Sequence, residues 1–255
     1  MKKPEYILSI DQGTTGTRAG IVNQDGKLVA SRYQEIKQFY PKPGWVEQDP
    51  IEIFESVSNT VGKLLDECKI QFSSITSVGI TNQRETIIAW DKITGKPVYN
   101  AIVWQCRRTT NYCNLLIDKG FSQTIKNTSG LTIDPYFSAT KISWILDNVP
   151  GARTLADNGS LAFGTVDSWL VWNLSHGSSH IIDITNASRT MLFDINKLEW
   201  SDELLNIMNI PKSMLPEVVP SSGELANISF GLNNPSLPLT GIAGDQQSAL
   251  FGQGC

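Results

Sequence analysis

The sequence is poor in the residues that mark several functional classes. It has only two histidines and four cysteines in 255 residues. The histidines, His176 and His180, lie in HGSSH with glycine and serine between them and no third ligand nearby, so the segment reads as a loop rather than a metal site. Cys68, Cys106, Cys113 and Cys255 show no tight pairing of the zinc or redox kind, and a chain of this size needs no disulfide staple; they read as reduced thiols. No apolar run approaches membrane-spanning length. The stretch Tyr6 to Ile10 behind Lys2 and Lys3 is too short for a signal peptide and is cut by Asp11. A cytoplasmic protein with no membrane partner is expected, and the Asn-x-Ser/Thr triplets at Asn127, Asn186 and Asn227 are discounted as glycosylation sites. The net charge is -4 and no basic stripe is present, which argues against a nucleic-acid partner. With 40% hydrophobic and 18% charged residues, and no repeats or low-complexity tracts, the chain should fold as one large domain or two small ones.

What is present is a change of hydrophobic period along the chain. Tyr6–Ile10, Ala19–Asn23 and KLVASRYQEI from Lys27 read as a three-stranded meander. In DPIEIFESVSNTVGKLLDECK the apolar residues Ile51, Phe54, Val57, Val61, Leu64, Leu65 and Cys68 recur at helical steps. Asp49 is placed to cap that helix, Pro50 suits its first position, and Glu52 should complete a capping box. SITSVGI, ETIIAW and PVYNAIVW are strand candidates, the last two joined through DKITGK. RTTNYCNLLIDKG and SATKISWILDN should be helices, the second stopped by Val149-Pro150-Gly151. LAFG, TVDSWLVWNL and SDELLNIMNI follow as strand and helices with Thr165 and Ser201 as caps. LPEVVPSSGELANISFGLNNPSLP reads as an irregular excursion, and LTGIAGDQQSALFGQG as a strand, a turn and a helix start. Strands followed by mixed units indicate an α/β domain.

Three segments carry candidate chemistry. In LSIDQGTTGTRAGIV the turn holds more hydrogen-bonding groups than a hairpin requires. Gly13 and Gly16 would let a ligand approach the backbone, Thr14, Thr15 and Thr17 offer donors, Arg18 adds positive charge, and Asp11 stands where magnesium could be held. The motif is neither a Walker loop nor a dinucleotide fingerprint, and it reads either as a phosphate site or as a decorated hairpin. In GITNQRETI, Arg84 and Glu85 can converge on one ligand only at a strand end or turn; otherwise they are an ordinary surface pair. Trp104 is either core or ligand wall, and Tyr136 either a ligand contact or a hydrogen-bonding group near a helix start. In GIAGDQQSALFGQ, Asp245 at a strand's carboxyl end is either a helix cap or a base that accepts a hydroxyl proton.

IDQGTTGTR, YPKPGWVEQDP, GITNQRET, GKPVYNAIVWQCRRT, DPYFSATKISWILDN, FGTVDSWLVW, TNASRTMLFDI and GIAGDQQSALFGQ together resemble, in order and nearly end to end, the FGGY family of carbohydrate kinases on its glycerol kinase branch. The resemblance implies an actin-like ATPase (ribonuclease H-like) domain, a mixed sheet flanked by helices. It implies that glycerol is held by Arg84, Glu85, Tyr136, Asp245 and Gln246, with Trp104 walling its carbon chain. ATP phosphate would lie against Asp11, Gly13, Thr14, Thr15 and Arg18, with Mg2+ at Asp11. Asp245 would take the proton, giving sn-glycerol 3-phosphate and ADP. It further implies a homo-oligomer at full length.

Members of the family are about twice as long, so residues 1–255 are expected to be the N-terminal domain, with the nucleotide-binding C-terminal domain missing and little turnover by this chain alone. The segment Asn227 to Pro238 lacks the arginine used by bacterial members to bind an inhibitory sugar bisphosphate and the histidine a phosphorelay would modify. The alternatives are an actin-like binding or scaffold protein completed by a partner chain, or a kinase for another polyol or sugar.

Overall fold

Alternating burial along the first segments builds a half-covered sheet. β1 (Tyr6–Gln12), β2 (Gly16–Val22) and β3 (Leu28–Glu35) form the expected antiparallel meander, which sets Asp11 opposite Arg18. β4 (Glu47–Gln48) leads into α1 (Pro50–Cys68). Asp49 caps this helix, accepting from the Ile51 amide at 2.8 Å. The capping box does not form, because Glu52 Oε1 takes the Lys37 amide at 3.2 Å and ties the helix start to the chain after β3. The buried stripe is Ile53, Val57, Val61, Leu64 and Leu65, while Ile51 falls outside it and is 41% exposed. The computed structural model describes residues 5–231 and 234–254, so Cys255, and Leu232 and Asn233 of the expected excursion, lie outside the described residues.

β5 (Ile75–Asn82), β6 (Ile87–Asp91) and β7 (Ala101–Ile102) follow. PVYNAIVW is therefore not one strand. Only Ala101 and Ile102 join the ladder, and Pro97, which has no amide to donate, meets Trp90 in a single bridge. Next come α2 (Thr110–Asp118), α3 (Ser122–Ser129), α4 (Ser138–Asn148) and α5 (Ala152–Asp157), of which α3 is almost wholly polar and α5 too short to show a period. β8 (Leu161–Thr165), α6 (Val166–Leu174), β9 (Ile181–Asp183), α7 (Ile184–Ala187), β10 (Phe193–Asp194), β11 (Glu199–Trp200) and α8 (Asp202–Met208) continue the chain. Ser201 caps α8 as expected, but the Thr165 hydroxyl turns to Asp167 and caps no amide. β12 (Glu217–Val219), β13 (Ser222–Ile228), β14 (Leu237–Gly244) and α9 (Asp245–Gly252) complete it. The late polar stretch is thus no irregular excursion: β13 pairs antiparallel with β14 and closes one edge of the main sheet.

That main sheet has the order β13-β14-β5-β1-β2-β3, with β14, β5 and β1 parallel. A second sheet has the order β4-β7-β6-β8. One core packs Leu8, Ile10 and Val78 of the main sheet against Val57 of α1 and Trp169 of α6, and the Trp169 indole donates to the Pro50 carbonyl at 2.8 Å. Another gathers Ile87, Ile102 and Phe163 of the second sheet with Ile142 of α4 and Leu204 of α8. Nearly complete exclusion of these side chains from water is what holds the two sheets and their helices in place.

Candidate functional site

Three parallel strands end abreast: Gln12 pairs with Asn82, and Asn82 with Gly244. The turn after β1, the turn after β5 and the start of α9 therefore emerge side by side at the carboxyl edge of the sheet, where α/β folds present groups to ligands. Buried amides lock this edge. Gln83 Nε2 donates to Gln12 Oε1 at 3.1 Å and to Gln48 Oε1 at 2.9 Å, and all three glutamines are at most 1% exposed. Buried with partners, these side chains fix register instead of destabilising it. Glutamine is usually a surface residue, and no local pattern marks these three as internal.

The first turn is closed by the Gly13 amide donating to the Gly16 carbonyl at 2.9 Å. The Thr14 carbonyl is held by Gln48 Nε2 at 2.6 Å, and the Thr14 hydroxyl accepts from Trp104 Nε1 at 2.9 Å. The amides of Thr14 and Thr15 donate to no group among the described residues and stay available to an anion. Thr15 and Arg18 are exposed. Two residues expected to serve a ligand serve the fold. The Thr17 hydroxyl is buried against Ser56 Oγ at 2.6 Å, and a side chain at Gly16 would collide with the Gln34 carbonyl and the Tyr33 ring of β3.

Asp11 lies at the same edge. Partial burial raises its carboxyl above the ordinary value, the charge of Asp245 raises it further, and Arg18 acts in the opposite sense. Among the described residues no group of three His, Cys, Asp or Glu side chains is arranged to hold a metal. Asp11 is nevertheless a hard oxygen donor of the kind magnesium uses, since that ion commonly takes one or two carboxylates and completes its shell with water and phosphate oxygens.

Arg84 and Glu85 occupy the turn between β5 and β6, and Glu85 has a left-handed backbone, φ 60°. That conformation frees the pair from strand alternation. Arg84 Nε lies 3.1 Å from Asp245 Oδ1, an ion pair not aligned as a hydrogen bond, and Arg84 Nη1 donates to Gln247 Oε1 at 3.3 Å. Glu85 is 1% exposed, and its Oε1 accepts from Arg189 Nε at 2.6 Å. Burial raises the Glu85 carboxyl above its ordinary value, against the pull of Arg189, Arg84 and Lys141. Tyr136 faces Trp104 with ring centroids 5.4 Å apart, its amide fixed by Asp134 Oδ1 at 2.8 Å. Asp245 is the first residue of α9, and Gly244 is the cap position; Asp245 Oδ1 accepts from the Gln246 amide at 2.7 Å.

Arg84, Glu85, Trp104, Tyr136 and Asp245 are thus brought together next to the Thr14 turn. Gln246 is exposed and its side chain bonds to no described residue, while Gln247 holds Arg84. Arg189, Lys141 and Gln247 were not anticipated: only the fold brings Arg189 to Glu85, and a lysine inside a helix gives no sign that it is buried. The histidines stay apart from this site. His180 packs between Trp90 and Trp172 with Nε2 2.8 Å from the Phe163 carbonyl, and Cys68, Cys106 and Cys113 are free.

Residues 6–252 match the family model described as the FGGY family of carbohydrate kinases, N-terminal domain. A glycerol kinase of Clostridium botulinum is 56% identical over 254 residues, which are 98% of this chain and 50% of that protein. Glycerol kinase 2 of Thermotoga maritima is 55% identical, with 98% of this chain and 51% of that protein covered. The crystal structure of Plasmodium falciparum glycerol kinase with ADP superimposes with a TM-score of 0.93 at 38% identity, covering 98% of this chain and 50% of that one. The chain spans about half the length of the curated relatives it matches. Its fold is the actin-like ATPase fold, a mixed sheet flanked by helices. Among the described residues no helix is long and apolar enough to cross a membrane.

Proposed function

The chain belongs to the FGGY family of carbohydrate kinases, and from that premise we propose that residues 1–255 are the N-terminal domain of an ATP-dependent glycerol kinase, the half that binds the alcohol and the phosphate end of the nucleotide. The observation that carries this proposal is the Arg84–Asp245 ion pair, 3.1 Å long, formed between two strand ends beside the Thr14 turn. Glycerol has three hydroxyls and little apolar surface, so selectivity must come from donors and acceptors that a wrong substrate would leave unpaired. Arg84 donates to those hydroxyls, buried Glu85 accepts from them, and Trp104 and Tyr136 flank the carbon chain, with Gln246 at the rim. Asp245 accepts the proton of the attacking terminal hydroxyl, and the products are sn-glycerol 3-phosphate and ADP.

The free amides of Thr14 and Thr15, the open backbone at Gly13 and the charge of Arg18 orient the transferred phosphoryl group. Magnesium, held at Asp11 directly or through water, supplies charge neutralisation at the phosphate oxygens. The adenine pocket belongs to a second domain, as the doubled length of the relatives supports. Closure of two domains is what excludes water from such a cleft, so this chain alone should bind glycerol without useful turnover. We further propose a cytoplasmic location, in keeping with the free thiols, no nucleic-acid or membrane partner, and a homo-oligomer for the full-length protein.

Isothermal titration of this chain with glycerol, xylulose and gluconate tests the proposal. Glycerol should bind best, and Arg84→Ala or Asp245→Asn should each weaken it by about tenfold or more, the usual effect of losing a hydrogen bond to a charged group. Unchanged affinity in both variants, or preference for a sugar, would overturn it.

A further inference from the structure

We propose that Arg189 is a positioning residue that clamps two walls of the polyol pocket into one geometry, binding the Glu85 carboxylate with its edge and covering the Tyr136 and Phe137 rings with its face. Its bearing on substrate rests on the glycerol reading; the clamp itself does not.

Arg189 is held in reference to the strand end that carries Glu85. Asn82, the last residue of β5, and Asn186 of α7 exchange two amide hydrogen bonds, each 3.0 Å, and both are fully buried. Asp183 adds a third restraint, accepting from Asn186 Nδ2 at 2.8 Å. The Arg189 amide in turn donates to the Asn186 carbonyl at 3.0 Å. From this base the guanidinium reaches Glu85 Oε1 at 2.6 Å and lies 4.9 Å from the Phe137 ring centroid and 5.9 Å from that of Tyr136. The turn after β5 and the loop before α4 are thereby joined through a third segment.

Among the described residues no other cation hydrogen-bonds this carboxylate. The charged and titratable groups facing Glu85 are Arg84 on its own turn, Lys141 of α4, Arg189 after α7 and the Tyr136 phenol. Lys141 is fully buried, and its ammonium donates to the carbonyls of Pro135, Tyr136 and Phe137 at 3.0, 2.6 and 2.8 Å, which uses all three of its protons. Arg84 is engaged by Asp245 and Gln247. Among the described residues Arg189 is therefore the side chain that hydrogen-bonds the Glu85 carboxylate. A carboxylate with 1% exposure needs such a partner to favour its ionised form, in which both oxygens accept. Lysine is no substitute, because it lacks the planar group that serves an edge and a face together.

The test combines two readouts on this chain: titration of the Glu85 carboxyl by carbon NMR, and glycerol affinity by calorimetry from pH 5 to 9. Arg189→Gln should raise the Glu85 midpoint by about one pH unit or more and weaken glycerol binding by about tenfold or more at neutral pH, with recovery at higher pH only as far as the affinity of Arg189→Lys. Arg189→Lys should restore most of the midpoint but not the affinity. An unmoved Glu85 midpoint in Arg189→Gln overturns the clamp, as does full recovery of its glycerol affinity at high pH, which would leave the face of the guanidinium with no part in binding. If Arg189→Gln does not fold, Arg189→Lys decides: affinity equal to that of the parent chain overturns the proposal, and weakened affinity with a near-parental midpoint supports it. A parent chain that binds no polyol overturns the glycerol reading, and the Glu85 midpoint then decides on the clamp alone.

Discussion

Arg107 and Arg108 are adjacent in sequence and opposite in environment, which gives a quantitative test of how the second sheet holds the Thr14 turn. The Arg108 side chain is 0% exposed and its partner Glu47 3%, with Nη2 2.6 Å from Glu47 Oε1. Its guanidinium lies 3.8 Å from the Trp45 ring centroid and 4.5 Å from that of Trp144, and Glu47 also accepts from Tyr99 at 2.8 Å and Asn100 at 2.9 Å. Arg107 pairs with Asp134 at the same 2.6 Å, but the two side chains are 51% and 37% exposed. Arg108→Met keeps the stem and leaves a buried carboxylate with two neutral donors. Removing one partner of a buried pair costs about 3–5 kcal/mol. At about 2.1 cal/mol/K of unfolding entropy per residue, a chain of this size loses roughly 2 °C of Tm per kcal/mol, so Arg108→Met should melt about 6–10 °C lower. Arg107→Met, at about 1 kcal/mol or less for an exposed pair, should fall by no more than about 2 °C. Calorimetric melting of the two variants beside the parent chain reads the difference directly. Variants that melt within about 2 °C of each other would refute the reasoning.

The acid limb offers a second check on the same pair. Burial raises the Glu47 carboxyl, but the hydrogen bonds of Asn100, Arg108 and Tyr99 outweigh it and hold the group below its ordinary 4.5. Its contribution is therefore present above that value and lost as pH falls below it, and Arg108→Met should weaken this loss. Because Glu47 and Gln48 pair with β7 and Gln48 holds the Thr14 carbonyl, the same variant should loosen the Thr14 turn.

Burial pushes the His180 imidazole from 6.5 down to about 4, so the unfolded chain takes up that proton first. The resulting stability is complete above 6.5 and declines as pH falls toward 4, by about 3 kcal/mol in all; urea unfolding across this range should show a shallower decline in His180→Gln, and an equal decline would contradict the assignment. Gly16→Ala should lower stability by about 1–3 kcal/mol, because β3 leaves no room for a methyl group. Gly13→Ala, whose Cβ would meet nothing closer than the Gly16 carbonyl at 3.4 Å, should melt like the parent chain yet weaken binding of an ATP analogue. If Gly13→Ala loses stability as Gly16→Ala does, the turn is structural throughout.

The sequence revealed those parts of the fold in which local pattern and local contacts agree. The meander follows from alternation, α1 from its three- and four-residue spacing and the Asp49-Pro50 start, and the β14–α9 step from an apolar run ending in Gly-Asp. Partners distant in sequence left no such trace. β13 became a sheet edge because β14 accepted its hydrogen bonds, although its own residues look like loop. Glu52 abandoned its capping box for Lys37, and Thr17 turned inward to Ser56, because α1 packs across the meander. At the site, Asp11 and Asp245 stood out as charges at strand ends, whereas Arg84 read equally as one of a surface pair. Arg189 and Lys141 did not, since nothing local tells a buried cation from a surface one.

The central claim is that Arg84, Glu85, Trp104, Tyr136 and Asp245 form one polyol site beside the Thr14 turn. Amide NMR of this chain titrated with glycerol tests it most directly. The account predicts saturable shifts concentrated at those five residues and at the Trp104 indole that bonds Thr14. Shifts concentrated instead in the cavity of about 640 Å³ lined by Phe54, Lys92, Trp172 and Phe230 would contradict it.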